Sequence, residues 1–496
     1  MRTTSLRRAS LLLASISILA QPATAQTNGF VLHCLSARAA GQGCVTRARD
    51  DVPTNLFRDP AAIAWFRQPT LEANISGFMP SLTFRNAANQ GRVDGAQHAY
   101  PLGSIAYVGR KASRLSWAVG LEPIGGFGSD FSLRHQLLGT GRDYESFFAA
   151  VKAGPSLALE VLPGLSVGVS GYVSYAQIRD FRMPFTMPPS AATGMGMILG
   201  MDPHYASMFA GVTELTAYGD SYDFTGWGRG ASVGVAWRQS DAFRVSGSWS
   251  PQSTVTLDGA AATIDMSRQF EAMFGVLVQE RMTYHGMSPS EAQASVGQML
   301  TLAGMDLARG TVSAYRAATE ISEPQTAGLG MALKVAPRWS LTVEEVWMNW
   351  SRAEKVMPFM LTEGDNPNVN ILVNGDPLNG DFTYPFPLEW KDSWTSKAGL
   401  SFQLSQATTF RAGYLYGTNP VPANTVFIAF PAISSQAVTA GAGFQLLGVP
   451  LEASLVRALN SRITGAASGH LVGAEYQGSS TTMRQTVLTL GGVWVF

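Results

Sequence analysis

The residues that could do covalent chemistry are few and poorly placed for it. Gly230-Ala231-Ser232-Val233-Gly234 fits the pattern of an exposed serine nucleophile, which needs a sharp strand-to-helix turn. Here the pentapeptide lies inside a continuing alternation of Ala231, Val233, Val235 and Trp237, which predicts a strand with Ser232 in its middle. His33, His98, His135, His204, His285 and His470 are scattered without a companion pattern. Asp365 to Asp381 is dense in Asn, Asp, Gly and Pro and offers oxygen ligands for Ca²⁺. It lacks the EF-hand spacing, and turn chemistry accounts for the composition. Cys34 and Cys44 stand close to the N-terminus. They form either one disulfide in an oxidising compartment or a pair of small apolar residues in a packed unit. No His pair at ligand spacing joins them, so no metal site is expected. The chain therefore reads as a non-enzyme that uses no cofactor.

What the remaining residues suit is an apolar environment. The 496 residues carry 35 basic and 35 acidic side chains, a net charge of zero that gives no reason to expect nucleic acid. Charged residues are 14% of the chain, against a usual ~25%. Arg2, Arg7 and Arg8 precede the apolar run Leu11 to Ala20, and Ala23-Thr24-Ala25 follows as a cleavage site. Residues 1–25 are thus read as a secretory signal. The run is too short to span a bilayer as a helix, and no later stretch is long enough, so any membrane crossing is expected to use strands.

Strands are legible from residue 70 onward. Leu165, Val167, Val169, Val173 and Tyr175 share one face, against Ser166, Gly168, Ser170, Tyr172 and Ser174 on the other. Val151 to Val161, Phe243 to Ser250 and Lys397 to Leu404 repeat the pattern. The last stretch, Thr486 to Phe496, alternates in the same way and ends on a bare aromatic residue. A soluble sandwich would give the same alternation, but the connections separate the two. Brief turns near 109–113, 162–164, 239–240, 337, 405–406 and 448–449 alternate with long segments. The long segments are 85–97, 124–148, 180–223, 258–322, 352–390, 419–432 and 460–481. Short turns on one rim and long loops on the other are the outer-membrane barrel arrangement, here of about fourteen strands. Ser170 should then face the lumen and tolerate Arg, whereas Val167 should face lipid. Met266 to Gly304 reads as two helical runs in a loop, with Phe270, Phe274, Leu277 and Val278 at helical spacing. Met183 to Phe209, with Met187 and Met197 among its methionines, reads as a flexible apolar loop suited to greasy ligands.

Residues 26–68 differ from the rest and read as a compact, partly helical unit. Gly29-Phe30, Ser36-Ala37, Gly41 and Gly43, then Asp59-Pro60-Ala61, resemble the plug of the FadL/TodX family of outer-membrane transporters. The family has Asn-Pro-Ala where this chain has Asp59. Trp350-Ser351, Trp390-Lys391-Asp392, Phe410 to Tyr414, Pro420-Val421-Pro422 and Pro431 extend the resemblance. Ala432 to Gln436 lacks the charged residues that commonly follow that last proline in the family. The resemblance implies an all-β, fourteen-stranded barrel over 69–496, with the plug inside it. Its substrates would be hydrophobic: long-chain fatty acids, aromatic hydrocarbons, alkanes or terpenoids.

Substrate would land among the outer loops, pass to a pocket beside the plug, and leave sideways at a kink in the third strand. That strand carries Gly120, Pro123, Gly125 and Gly126. Phe30, Met187, Met197, Phe209 and Phe274 are the expected apolar ligand contacts. Arg244 and Arg411, with Lys152 and Lys397, are inward-facing cations that either meet a substrate carboxylate or are balanced by Glu160, Glu344 or another lumenal acid. Asp59, Pro60 and Ala61 are expected to hold the plug, and Phe496 to serve as the signal read by the barrel assembly machinery. Outer-membrane lipid and lipopolysaccharide are the expected surroundings of a monomer. A general porin, or an adhesin on the same barrel, is the competing reading.

Overall fold

The computed structural model describes residues 27–89, 91–110, 114–187, 215–433, 435–446, 448–470 and 476–496. The proposed signal, residues 1–25, lies outside these.

Alternating sequence gives long antiparallel strands, and the strands close on themselves. The fourteen barrel strands begin with Thr70–Arg85, Tyr100–Arg110, Leu115–His135, Gly139–Leu162, Leu165–Met187 and Leu215–Ser240. The last four are Thr408–Gly417, Gln436–Leu446, Val449–Thr464 and Ser480–Val495. Strands seven to ten are each broken once: Phe243–Ser250 with Ser253–Asp265, Val312–Glu323 with Thr326–Ala336, Trp339–Met348 with Val356–Thr362, and Phe382–Pro387 with Ser393–Gln403. Pro251 and Pro324 sit at two of these breaks, where a residue without an N–H cannot continue the ladder. The final strand pairs with the first from Ser480↔Arg85 to Val495↔Thr70. Phe496 N–H then donates to the Pro69 carbonyl at 2.9 Å. Closure at this seam pairs the edges of the first and last strands, which a bilayer would not tolerate open.

Side chains face as the alternation predicts. Val167, Val169, Val173, Leu157 and Leu488 are exposed on the outside, whereas Ser166, Ser170 and Ser174 are buried. Ser232 lies mid-strand and buried, with no nucleophile turn.

Two long segments differ from expectation. Residues 124–148 are not a loop but the upper part of a hairpin, Leu115–His135 with Gly139–Leu162, turning at 136–138. Likewise Met183, Phe185 and Met187 belong to the fifth strand and point inward. Alternation resumes after a bulge near Arg179, which moves the inward face from Ile178 to Phe181 and Met183, and so continues the strand upward. The two loop helices form at Ser267–His285 and Pro289–Leu302. Ser288 caps the second, with Glu291 completing the capping box.

Residues 27–66 fill the barrel. A strand pair, Thr27–Asn28 with Val31–Leu32, is followed by helix Ala37–Gly41 and two 3₁₀ turns, Pro53–Phe57 and Pro60–Trp65. Almost every residue of this segment is buried.

Candidate functional site: a cavity through the barrel wall

The N-terminal segment is held by charge and by close backbone contact. Glu344 on the ninth strand accepts hydrogen bonds from Thr46 N–H, Arg47 N–H, Arg47 Nη1 and, at 2.9 Å, Lys397 Nζ. Glu452 pairs with Arg38 and Arg411, both at 2.6 Å. Arg58 pairs with Glu122 at 2.6 Å, and Lys152 with Glu323 at 3.1 Å. Arg244 and Arg238 both pair with Asp50. Such buried ions are tolerable because each meets an opposite charge.

Asp59 Oδ2 accepts from Ala48 N–H at 2.9 Å and Ser246 Oγ at 2.5 Å. Burial pushes its carboxyl up from 3.8 to about 6, with Arg47 and these hydrogen bonds opposing. The Ala61 carbonyl accepts from Ser166 Oγ at 3.0 Å. Pro60 and Ala61 press so closely on the fifth strand that a Cβ on Gly168 would lie 2.5 Å from their backbone. Cys34 and Cys44 are joined in a disulfide.

Phe30 sits at the centre of an aromatic box. Its ring meets Phe148 edge-on at 5.3 Å and Trp350 at 5.1 Å, and Trp390 lies 6.4 Å away. Asn28 fixes the same tail: its Oδ1 accepts from Trp350 Nε1 and Ser393 Oγ, and its Nδ2 donates to Thr395 Oγ1.

Beside this box the wall opens. Strands two and three pair only from Arg110↔Ser116 to Ile105↔Leu121. Above Leu121 the third strand turns inward, with a bulge at Pro123/Gly125 against strand four. There it pairs with the N-terminal segment instead: Gly125 faces Val31, and Gly126 N–H donates to the Phe30 carbonyl at 3.0 Å. A Cβ on Gly125 would lie 1.8 Å from that carbonyl oxygen, so no other residue fits. Gly120 lies below the opening, still paired with Ala106 and covering Leu56.

A cavity of about 510 Å³ occupies the gap. Inward residues Phe78, Pro80 and Phe148 line it together with the outward-facing Phe147 and Ala149. It therefore joins the lumen to the outside of the barrel. Pro431 and Ala432 close it from above. They belong to a buried segment of the loop between strands eleven and twelve that includes Phe427 and Phe430. At the outer lip Arg179 lies 4.4 Å from the Phe147 ring centroid and pairs with Asp180 at 3.0 Å, while His98 meets Asp130 at 2.8 Å.

The sequence-derived site residues divide accordingly. Gly125 and Gly126 line the cavity, and Pro123 stands at the bend. Phe30 does not line it; its ring stands behind Phe148. Arg244 and Arg411 do not reach it, because both are drawn to acids near the short-turn rim, Asp50 and Glu452. Met187 and Phe274 belong to the apolar cluster of the upper lumen, the latter from the first loop helix. Met197 and Phe209 lie outside the described residues. Phe127 and Phe147 escaped sequence reading, and Pro431 and Ala432 were marked only by the family resemblance and not as cavity wall, since only the bend brings them together.

A closed barrel with an internal plug and an apolar passage through its wall defines an outer-membrane transport barrel. The family described as "Outer membrane protein transport protein (OMPP1/FadL/TodX)" matches residues 17–458, and the chain belongs to it. It is an outer-membrane protein. Among solved structures, a FadL homologue from Pseudomonas aeruginosa superposes with a TM-score of 0.67 at 14% identity, covering 94% of this chain and 100% of the homologue. The toluene transporter TodX of Pseudomonas putida gives 0.64 at 14%, covering 95% and 100%. The toluene transporter TbuX of Ralstonia pickettii gives 0.60 at 13%, covering 93% and 98%. No curated protein matches the chain.

Proposed function

We propose that this protein carries small uncharged apolar molecules across the outer membrane and releases them sideways through the gap between strands two and three. The observation that carries this reading is the cavity of about 510 Å³, lined mainly by aromatic and aliphatic side chains and reaching both faces of the wall. Sideways release spares an apolar solute any passage through bulk water, which suits the hydrophobic effect. The ion pairs favour hydrocarbons over fatty acids. Lys152, Arg244, Lys397 and Arg411 each already have a carboxylate partner, so a buried substrate carboxylate would need one of those pairs broken. The toluene-transporting relatives, TodX and TbuX, agree with this choice.

Met187 and Phe274 serve the approach from the outer loops, and Phe30 sets the position of the cavity wall. The protein acts as a monomer without catalysis or cofactor. Lipopolysaccharide surrounds its outer rim, and the assembly machinery reads Phe496.

The test is uptake of toluene and of a long-chain fatty acid by cells lacking their own transporter. Ala149→Trp fills the opening from its outer side and should abolish toluene uptake while the barrel folds. Undiminished uptake would end the lateral path. Rapid sugar flux through the unmodified protein in liposomes would favour a porin instead.

A further inference from the structure

The chain has no net charge, yet its outward surface is not evenly mixed. On the long hairpin walls of strands three to six the outward arginines are scattered: Arg182 contacts Glu145, Asp180 and Asp220, whereas the exposed Arg134 and Arg229 stand singly. Across the barrel seam the pattern is different. Arg457 and Arg462 on strand thirteen, Arg484 on strand fourteen and Arg85 on strand one are all exposed. No carboxylate among the described residues lies within ion-pair distance of any of the four. The nearby Arg92 and Asp94 pair with each other and add no charge.

Strand register brings these arginines together. Arg457 stands opposite Thr486, and Arg462 opposite Thr482, so Arg484 lies between them on the adjacent strand. Ser480 faces Arg85 across the seam. Arg462 Nε donates to Ser480 Oγ at 2.8 Å, and Arg457 Nη1 to Thr486 Oγ1. Hydroxyl partners orient a guanidinium without neutralising it.

Height gives the patch its meaning. Outward residues below it are apolar: Leu455, Leu488, Leu490 and Ile75. From Trp494 at the short-turn rim to Arg484 is ten steps along one strand. At ~3.3 Å per residue and a tilt of ~40°, those steps climb roughly 25 Å, the height of a barrel's apolar band. By the same arithmetic Arg457, opposite Thr486, stands roughly 20 Å up, and Arg462 and Arg85, opposite Thr482 and Ser480, roughly 30 and 35 Å, so the arginines straddle the upper edge of the band, where outer-leaflet headgroups lie. Guanidinium forks match phosphate oxygens.

We propose that Arg457, Arg462, Arg484 and Arg85 form a docking site for the phosphate groups of the outer-leaflet glycolipid, clamping one lipid A headgroup against the closing seam. The inference rests on outer-membrane placement and is independent of what the barrel transports.

The test uses the full mature barrel in detergent, with retention of purified bisphosphoryl lipid A read by native mass spectrometry. Wild type should bind it more tightly than monophosphoryl lipid A, and should not retain phosphatidylcholine. Inorganic phosphate at millimolar concentration should compete only weakly, because a single ion meets only part of the arginine set. Arg457→Gln/Arg462→Gln/Arg484→Gln should weaken binding on the order of a hundredfold, from roughly fivefold per arginine. Should that triple variant fail to assemble, Arg462→Gln alone should cost roughly fivefold. Arg316→Gln, at an exposed cation already paired with Glu363, should change nothing. Equal retention by wild type and the substituted protein, or equal retention of phosphatidylcholine, overturns the proposal. Toluene uptake by the triple variant should stay normal, which separates this idea from the transport reading.

Discussion

A single carboxylate distinguishes the plug contact of this chain. Asp59 stands where a neutral amide would serve, buried, with Oδ1 lacking a hydrogen-bond partner. Its proton is held more tightly in the folded state, at about 6, than at the ordinary 3.8. The stability it contributes is therefore full below pH ~4 and lost as pH rises through about 6. Asp59→Asn should flatten that part of the pH–stability profile and stabilise the protein at pH 7.5 by ~2–3 kcal/mol. Denaturant unfolding of the detergent-refolded barrel at pH 4.5 and 7.5 measures this; an unchanged slope assigns the effect elsewhere. Phe30 acts by packing rather than by charge. Phe30→Ala empties the aromatic box and should cost ~3–5 kcal/mol of local stability. Faster hydrogen exchange at Gly126 N–H, which donates to the Phe30 carbonyl, would report it, and the affinity for every apolar ligand should fall with it.

At the scale of elements, one strand has two different neighbours on its two faces. Val167 of the fifth strand is 39% exposed to the outside, so Val167→Arg should cost ~2–4 kcal/mol near the bilayer midplane. Three residues on, Ser170 is not the tolerant lumen position that alternation suggests. Its hydroxyl donates to the Leu56 carbonyl at 2.5 Å and bonds Ser156 Oγ at 3.0 Å. Ser170→Arg should therefore also destabilise, by expelling the Pro53–Phe57 turn from the wall. Refolding yields of the two variants, read as heat-modifiable migration, check this: a native yield for Ser170→Arg would mean that the turn is loosely held.

For the whole molecule, closure is the decisive step. Sixteen register pairs join the first and last strands, and Phe496 extends that seam by one further hydrogen bond. With Phe496 proposed as the end read by the assembly machinery, its deletion should slow assembly in cells much more than it lowers equilibrium stability, because the fold itself loses only one exposed contact. Pulse-labelled assembly compared with unfolding in vitro separates the two effects. Equal losses in both would make Phe496 an ordinary structural residue.

Much of this was legible in the chain itself. Period-two patterning dictates which side chains of strands such as Leu165–Met187 face out, because successive Cβ atoms alternate. Short turns alternating with long segments then orient the barrel. The paired glycines near Pro123 marked where the third strand cannot stay regular. Sequence pattern could not decide how far the strands run beyond the membrane, since residues 124–148 alternate as a strand and yet read as a loop by length. It anticipated that lumenal acids such as Glu344 would balance the inward cations, as Glu344 does for Lys397, but not which: Asp50 and Glu452 come to Arg244 and Arg411 only through tertiary packing. The cavity was equally hidden. It is built from a strand bend, an inward-folded loop corner and outward residues of a neighbouring strand, and contacts so distant along the chain leave no periodic signal. Local periodicity is a property of the backbone and is written in the sequence, whereas a void is defined by what several distant segments fail to fill.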